Sequence, residues 1–136
     1  MGARTKYRKR ALDVLFESEM QGLSLGGSLP ERLVTNHPPI NAYTVTLVEG
    51  VAENQERIDA VLSQHARGWT LDRMPGVDRN LLRVAAFEIL FTEDVPDAVA
   101  VSEAVELARE LSTDDSPSFV AGVLGAVIEG KAAQSA

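Results

Sequence analysis

Apolar positions recur with a helical period along nearly the whole chain, and the strict alternation of strands joined by hairpin turns is missing. Leu12, Leu15, Phe16, Met20 and Leu23 fall on one arc and predict a helix over 8–22. Glu19 lies inside that arc. Either the stripe frays there or the carboxylate has a buried partner, because an unpaired buried charge costs too much. Gly22, Gly26 and Gly27 mark a loop. Ser28-Leu29-Pro30-Glu31 has the form of a capping box and predicts a short helix over 29–36. Beyond Pro38-Pro39, Asn41 is the expected cap of one long helix reaching Ala66. Tyr43, Leu47, Val51, Ile58, Val61 and Leu62 share its inner face. His65 falls on that face too and reads as a core histidine rather than a ligand or base.

Residues 67–76 read as a loop with one turn around Leu71–Met74. The next helix is expected from Val77 to Phe91. Nine of the eleven residues from Leu81 to Phe91 are apolar and surround the axis, which marks a buried central helix. Its first turns differ: Arg79 and Arg83, four apart, share one stripe. Residues 98–111 form a two-faced helix, with Ala104, Leu107 and Leu111 on one side and Glu103, Glu106 and Glu110 on the other. Ser116-Pro117 predicts the start of the last helix, with serine as cap and proline at the first helical position. Asp114 and Asp115 before it read as favourable partners of its dipole rather than metal ligands. Gly122 and Gly125 within it suggest close helix packing rather than an RNA-gripping glycine loop. Residues 131–136 are expected to fray. The sum is an all-α compact bundle of six or seven helices in a single domain over 1–136.

Composition removes several function classes. A chain of 136 residues, 45% of them hydrophobic, can bury a core without staples. With no cysteine there is no disulfide, thiol nucleophile or cysteine-based metal site. No apolar run is long enough to span a membrane, and the basic start lacks the apolar stretch of a secretory signal. A cytoplasmic protein is the resulting expectation. Phosphate-cradling, dinucleotide, His-Glu-x-x-His and Gly-x-Ser-x-Gly motifs are absent from the sequence, and His37 and His65 have no metal-ligand spacing. Neither catalysis, a metal nor a cofactor is expected.

Charge then adds a positive feature. Arg4, Lys6, Arg8, Lys9 and Arg10 precede the first acid, Asp13, while the remainder carries eight bases against twenty acids, a net of −12. A cationic arm over residues 1–7, leading into a basic helix start on an anionic body, suggests contact with nucleic acid or acidic lipid. Tyr7 is the only large apolar residue among these charges, which argues against the membrane surface. A second basic group is Arg79 and Arg83. Phe119, at the edge of its stripe near the start of the last helix, could pack in the core or stack a splayed RNA base.

Four segments follow one another in order: Arg8-Lys9-Arg10-Ala11-Leu12-Asp13-Val14-Leu15-Phe16, Val77-Asp78-Arg79-Asn80-Leu81-Leu82-Arg83-Val84-Ala85-Ala86-Phe87-Glu88-Ile89-Leu90, Val95-Pro96 with Glu103-Ala104-Val105-Glu106-Leu107-Ala108, and Asp115-Ser116-Pro117-Ser118-Phe119-Val120-Ala121-Gly122-Val123-Leu124. Together they resemble the NusB transcription antitermination family over nearly the whole chain, least over 22–66. The resemblance implies an all-α protein that binds boxA RNA together with the small-subunit ribosomal protein NusE. Through them it would act on the RNA polymerase elongation complex, opposing premature termination, notably in ribosomal RNA operons. Carried over, RNA contacts fall on Arg4, Lys6, Arg8, Lys9, Arg10, Arg79, Arg83, Asp115 and Phe119, and partner contacts on Phe16 and Asp78. The chain departs from the family pattern at Asp97-Ala98, where many members carry Tyr-Lys, and at Ala121, where they carry Asn. Two rival readings are a helical interaction module without an RNA role and the RNA-binding domain of a ribosomal RNA cytosine methyltransferase. Monomer and homodimer both remain open.

Overall fold

In a computed structural model describing residues 4–135, seven α-helices and one 3₁₀ turn account for the regular structure. The helices are α1 (Thr5–Met20), α2 (Leu29–Thr35), α3 (Ala42–Glu53), α4 (Gln55–His65), α5 (Gly76–Phe91), α6 (Asp97–Leu111) and α7 (Ser116–Ser135), with the 3₁₀ turn at Leu71–Arg73 between α4 and α5. No strand occurs among the described residues. The all-α expectation therefore holds. No helix of the described residues is long and apolar enough to cross a membrane.

α5 is the axis of the fold, in contact with α1, α3, α4, α6 and α7. Every residue from Asn80 to Ile89 is buried, as its all-round apolar sequence requires. Leu15, Leu47, Ile58, Leu62, Leu81, Leu82, Ile89 and Leu124 lie fully inside around it. Burying each such side chain is worth about 1.5–3 kcal/mol before chain entropy is set against it. α3 comes unusually close to α5: a Cβ on Gly50 would lie 2.2 Å from the Phe87 ring. Only glycine fits that crossing.

Several local expectations change. α1 begins at Thr5, three residues early, so residues 5–7 of the expected arm are helical; residues 1–3 lie outside the described residues. The Thr44 hydroxyl donates to the Tyr7 carbonyl at 2.9 Å and docks this first turn on α3. α1 ends where Gly22 turns left-handed (φ 69°). There Gly22 N–H reaches the Glu19 carbonyl and Leu23 N–H the Ser18 carbonyl, a Schellman closure. The Ser28 capping box does not form. Ser28 is buried, its N–H donating to Ser18 Oγ and its hydroxyl to the Val14 carbonyl, so it fastens α2 to α1 instead.

Asn41 does cap α3, accepting from Tyr43 N–H at 2.8 Å. The expected single helix to Ala66 is broken at Asn54, whose backbone leaves helical geometry (φ −108°, ψ 17°) and whose side-chain amide donates to the Gly50 carbonyl. Ser116 opens α7 from inside the first turn, and its hydroxyl points at Asp78 rather than capping. A Cβ at Gly122 or Gly125 would meet nothing within 4 Å, so close packing does not explain either glycine. α7 continues through Ser135, past Gly130, and Lys131 on it donates to the Ile89 carbonyl and Asp97. The last residue, 136, is outside the described residues.

Candidate nucleic-acid interface

The basic segment from Arg4 to Arg10 is folded, and Arg8 and Lys9 within it meet acids of α5 and α6. Arg8 is inside, its side chain 5% exposed. Its guanidinium forms a two-pronged contact with Glu88 at 2.9–3.1 Å and another with Glu103 at 2.9 Å. The Tyr43 hydroxyl donates to Glu88, and Thr5 donates to Glu103. Burial, reinforced by Glu88, raises the Tyr43 hydroxyl well above its ordinary value and keeps it a donor. For Arg8, burial pulls downward, but the bonds and charges of Glu88 and Glu103 outweigh it and hold the guanidinium above its ordinary value. As a surface contact for a phosphate, Arg8 is therefore corrected: it has no free face.

Its neighbours differ. Arg4 lies 4.0 Å over the Tyr43 ring and pairs with Asp94 at 3.1 Å. Lys9 pairs with Glu110 at 2.6 Å, both groups exposed, and Arg10 reaches Asp13 at 4.0 Å. Lys6 is exposed and has no ion pair among the described residues; it sits 5.3 Å from the Tyr7 ring. Exposed pairs of this kind are worth about 0–1 kcal/mol and exchange readily. The Lys9–Glu110 contact also brings the basic face of α1 to the C-terminal turn of α6, just before the α6–α7 connection.

That connection forms one wall of a cleft of about 420 Å³ lined by Trp69, Met74, Pro75, Asp78, Asp115 and Phe119, among others. Trp69 and Phe119 meet edge to face, ring centres 6.2 Å apart at 63°. Asp115 is exposed and Phe119 half-buried, one side against the core. Asp78 is not a surface residue: it is 3% exposed, and its two oxygens accept the hydroxyls of Ser112 and Ser116 at 2.5 and 2.8 Å. With both oxygens engaged, it ties the α6–α7 connection to α5 at the wall of the cleft.

Arg79 and Arg83 are likewise occupied. Arg79 grips Glu19 at 2.7 and 3.2 Å and donates to the carbonyls of Leu71 and Met74. Arg83 holds Asp59 at 2.9 and 3.1 Å and reaches Glu19 at 3.4 Å. Glu19 thus has the partner its place in an apolar arc required. The outer face of α1 beside this cluster carries Phe16 and Met20, with Leu23 in the loop just beyond, each about half exposed or more. Below them a groove of about 450 Å³ is lined by Glu19, Leu25, Asp59, Leu71, Arg79 and Arg83. Among the described residues no group of three or more His, Asp and Glu could hold a metal.

Sequence reasoning missed Trp69. It lies in a loop without periodicity; the usable signal was the chain's one tryptophan standing between Arg67 and Arg73 in a segment otherwise short of apolar bulk.

Fold and site together define a small all-helical protein with an aromatic cleft at the first turn of α5 and a cation-bearing start of α1 whose Lys9 reaches the last turn of α6. The NusB family model matches residues 5–129, and the chain belongs to the NusB family. The transcription antitermination protein NusB of Nocardioides sp. is 54% identical over 131 residues, 96% of this chain and 97% of that one. The protein of the same name from Kineococcus radiotolerans is 55% identical over 136 residues, the full length of both. Among solved structures, T. maritima NusB matches with a TM-score of 0.81 at 29% identity, covering 94% of this chain and 92% of that chain. A crystal structure of the antitermination factors NusB and NusE in complex with dsRNA matches with a TM-score of 0.78 at 26% identity, covering 93% of this chain and 96% of that chain.

Proposed function

We propose that this chain is a transcription antitermination factor that binds boxA-type single-stranded RNA together with NusE, and that it performs no catalysis of its own. Membership of the NusB family over residues 5–129 carries the reading. On this reading the work is done in the cytoplasm, on the transcribing polymerase.

The geometry sorts the candidate residues. Arg4, just before α1, and Lys6, Lys9 and Arg10 within it are the cations that can exchange a carboxylate or water for a phosphate. Their strip leads along α6 to Asp115 and Phe119, where a base rather than the backbone meets the protein. Arg8 drops out of the RNA set and acts as the internal anchor of that strip. Arg79 and Arg83, already neutralised by Glu19 and Asp59, belong with Phe16 to the face offered to NusE. There the exposed apolar row of α1 supplies the contact. An acidic body of net −12 favours a basic ribosomal protein and repels RNA elsewhere. NusE therefore supplies cations that this chain lacks, and the pair binds RNA more tightly than either protein alone.

Salt dependence tests the strip. For single-stranded RNA, log affinity falls against log salt with a slope of about −0.7 per neutralised phosphate, so roughly four to six contacts give about −3 to −4. Replacing Lys6, Lys9 and Arg10 together by Ala should flatten the slope by about 2 and weaken all RNA sequences alike. An unchanged slope in filter-binding titrations would remove the strip from the RNA path.

A further inference from the structure

Resting on the RNA-binding reading above, we infer that the corner between Trp69 and Phe119 receives one unstacked nucleobase of the RNA strand, with Trp69 as its stacking face. Four observations lead there. First, Trp69 leaves about half of its surface (49%) in water although it sits at the wall of a cleft. A large aromatic held there covers little core of its own, and exposed apolar surface of this kind marks a contact site.

Second, the shape suits a base. The cleft's 420 Å³ falls within the range of about 300–1,000 Å³ typical of small-ligand sites. With the rings at 63°, a flat heterocycle cannot be sandwiched, but it can lie on the open indole face while its rim meets the edge of Phe119. Met74 and Pro75 supply the remaining apolar lining.

Third, charge selects base over phosphate. The ionisable groups lining the cleft are Asp78 and Asp115. Two carboxylates repel a phosphate from the interior. The phosphates flanking the base have cations outside it instead: Arg67 and Arg73, exposed on the same connection as Trp69 and without ion pairs among the described residues.

Fourth, the corner is built before the ligand arrives. Arg79 holds the carbonyls of Leu71 and Met74 and so fixes the connection that bears Trp69. Its neighbour Asp78 holds Ser112 and Ser116 and so fixes the connection that leads to Phe119. Two adjacent residues of the first turn of α5 thus set both walls. Little ordering remains to oppose binding. Asp78 and Arg79 act as positioning residues, which gives their charges a role that needs no direct contact with RNA.

Trp69 is the chain's one tryptophan, so its emission reports on this corner alone. The experiment titrates the full chain, with a tryptophan-free NusE present, with a dye-labelled short boxA RNA, reading dye anisotropy and tryptophan emission together. Emission is expected to fall in step with the rise in anisotropy. An RNA carrying one abasic nucleotide, moved position by position, should at one position lose the quenching while remaining bound. Trp69→Ala should weaken RNA binding roughly 5- to 150-fold and Trp69→Phe far less, as expected for stacking of one base. Thermal melts establish that both variants are folded. Anisotropy that saturates while emission stays constant, with Trp69→Ala binding like the parent, overturns the inference and leaves the RNA reading standing. Emission that responds to NusE alone and ignores RNA also overturns it, by assigning the corner to protein. Absence of RNA binding in either channel overturns both readings.

Discussion

Replacing Arg8 by Ala should lower folding stability by about 3–5 kcal/mol, the largest effect expected for any single surface-looking cation of this sequence. The loss does not arise from a missing attraction alone. Glu88 and Glu103 are both buried, and without the guanidinium their two carboxylates share a dry pocket in which, among the described residues, the hydroxyls of Tyr43 and Thr5 remain to solvate them. Like charges in that setting destabilise the fold. Chemical denaturation at neutral pH measures the change. Lys9→Ala, which breaks an exposed pair, serves as the control and should cost less than about 1 kcal/mol. Glu88→Gln with Glu103→Gln in the Arg8→Ala background should recover most of the loss, because no uncompensated charge then remains. Equal small losses for Arg8→Ala and Lys9→Ala would contradict the buried network.

Phe119→Leu should weaken RNA binding by about 0.5–1.5 kcal/mol, roughly 2- to 13-fold, while keeping most of the folding stability. Leucine can retain the half of the ring's contact that faces the core, but it has no aromatic edge for the rim of the base to meet. Phe119→Tyr should bind nearly as well as the parent. The measurement is an RNA titration at a temperature where all three proteins are folded by circular dichroism. If Phe119→Leu binds as tightly as the parent, the aromatic contact is absent and core packing is the whole role of Phe119.

Local order along the chain was readable where the signal is local. The helix starts at Asn41 and near Ser116, the buried character of Leu81–Ile89 and the need of Glu19 for a partner all follow from neighbours within a few residues, whereas Phe91, expected inside, is exposed. The break at Asn54 was not readable, because neither proline nor glycine marks it and asparagine is tolerated within helices. Ser28 carried a sound capping signal that tertiary contact overrode: its hydroxyl found the Val14 carbonyl of α1 instead.

The site shows the same division more sharply. Five cations in ten residues look alike in sequence, yet Arg8 differs from its neighbours because its partners, 80 and 95 residues away, are buried, whereas the distant partners of Arg4 and Lys9 lie in water. Nothing in residues 1–10 encodes that. Asp78 and Arg79 looked like contact residues for the same reason: the hydroxyls of Ser112 and Ser116 and the carbonyls of Leu71 and Met74 meet them only after folding. Trp69 belonged to no periodic stripe and so to no predicted element. The family resemblance pointed to Asp115 and Phe119, and the fold places Trp69 against Phe119 in the same cleft.

The most direct test of the central claim is a titration of boxA RNA with this chain, with and without NusE, at two salt concentrations. The account predicts binding that tightens when NusE is added and weakens as salt rises. RNA affinity that is absent, or that neither NusE nor salt alters, would contradict it.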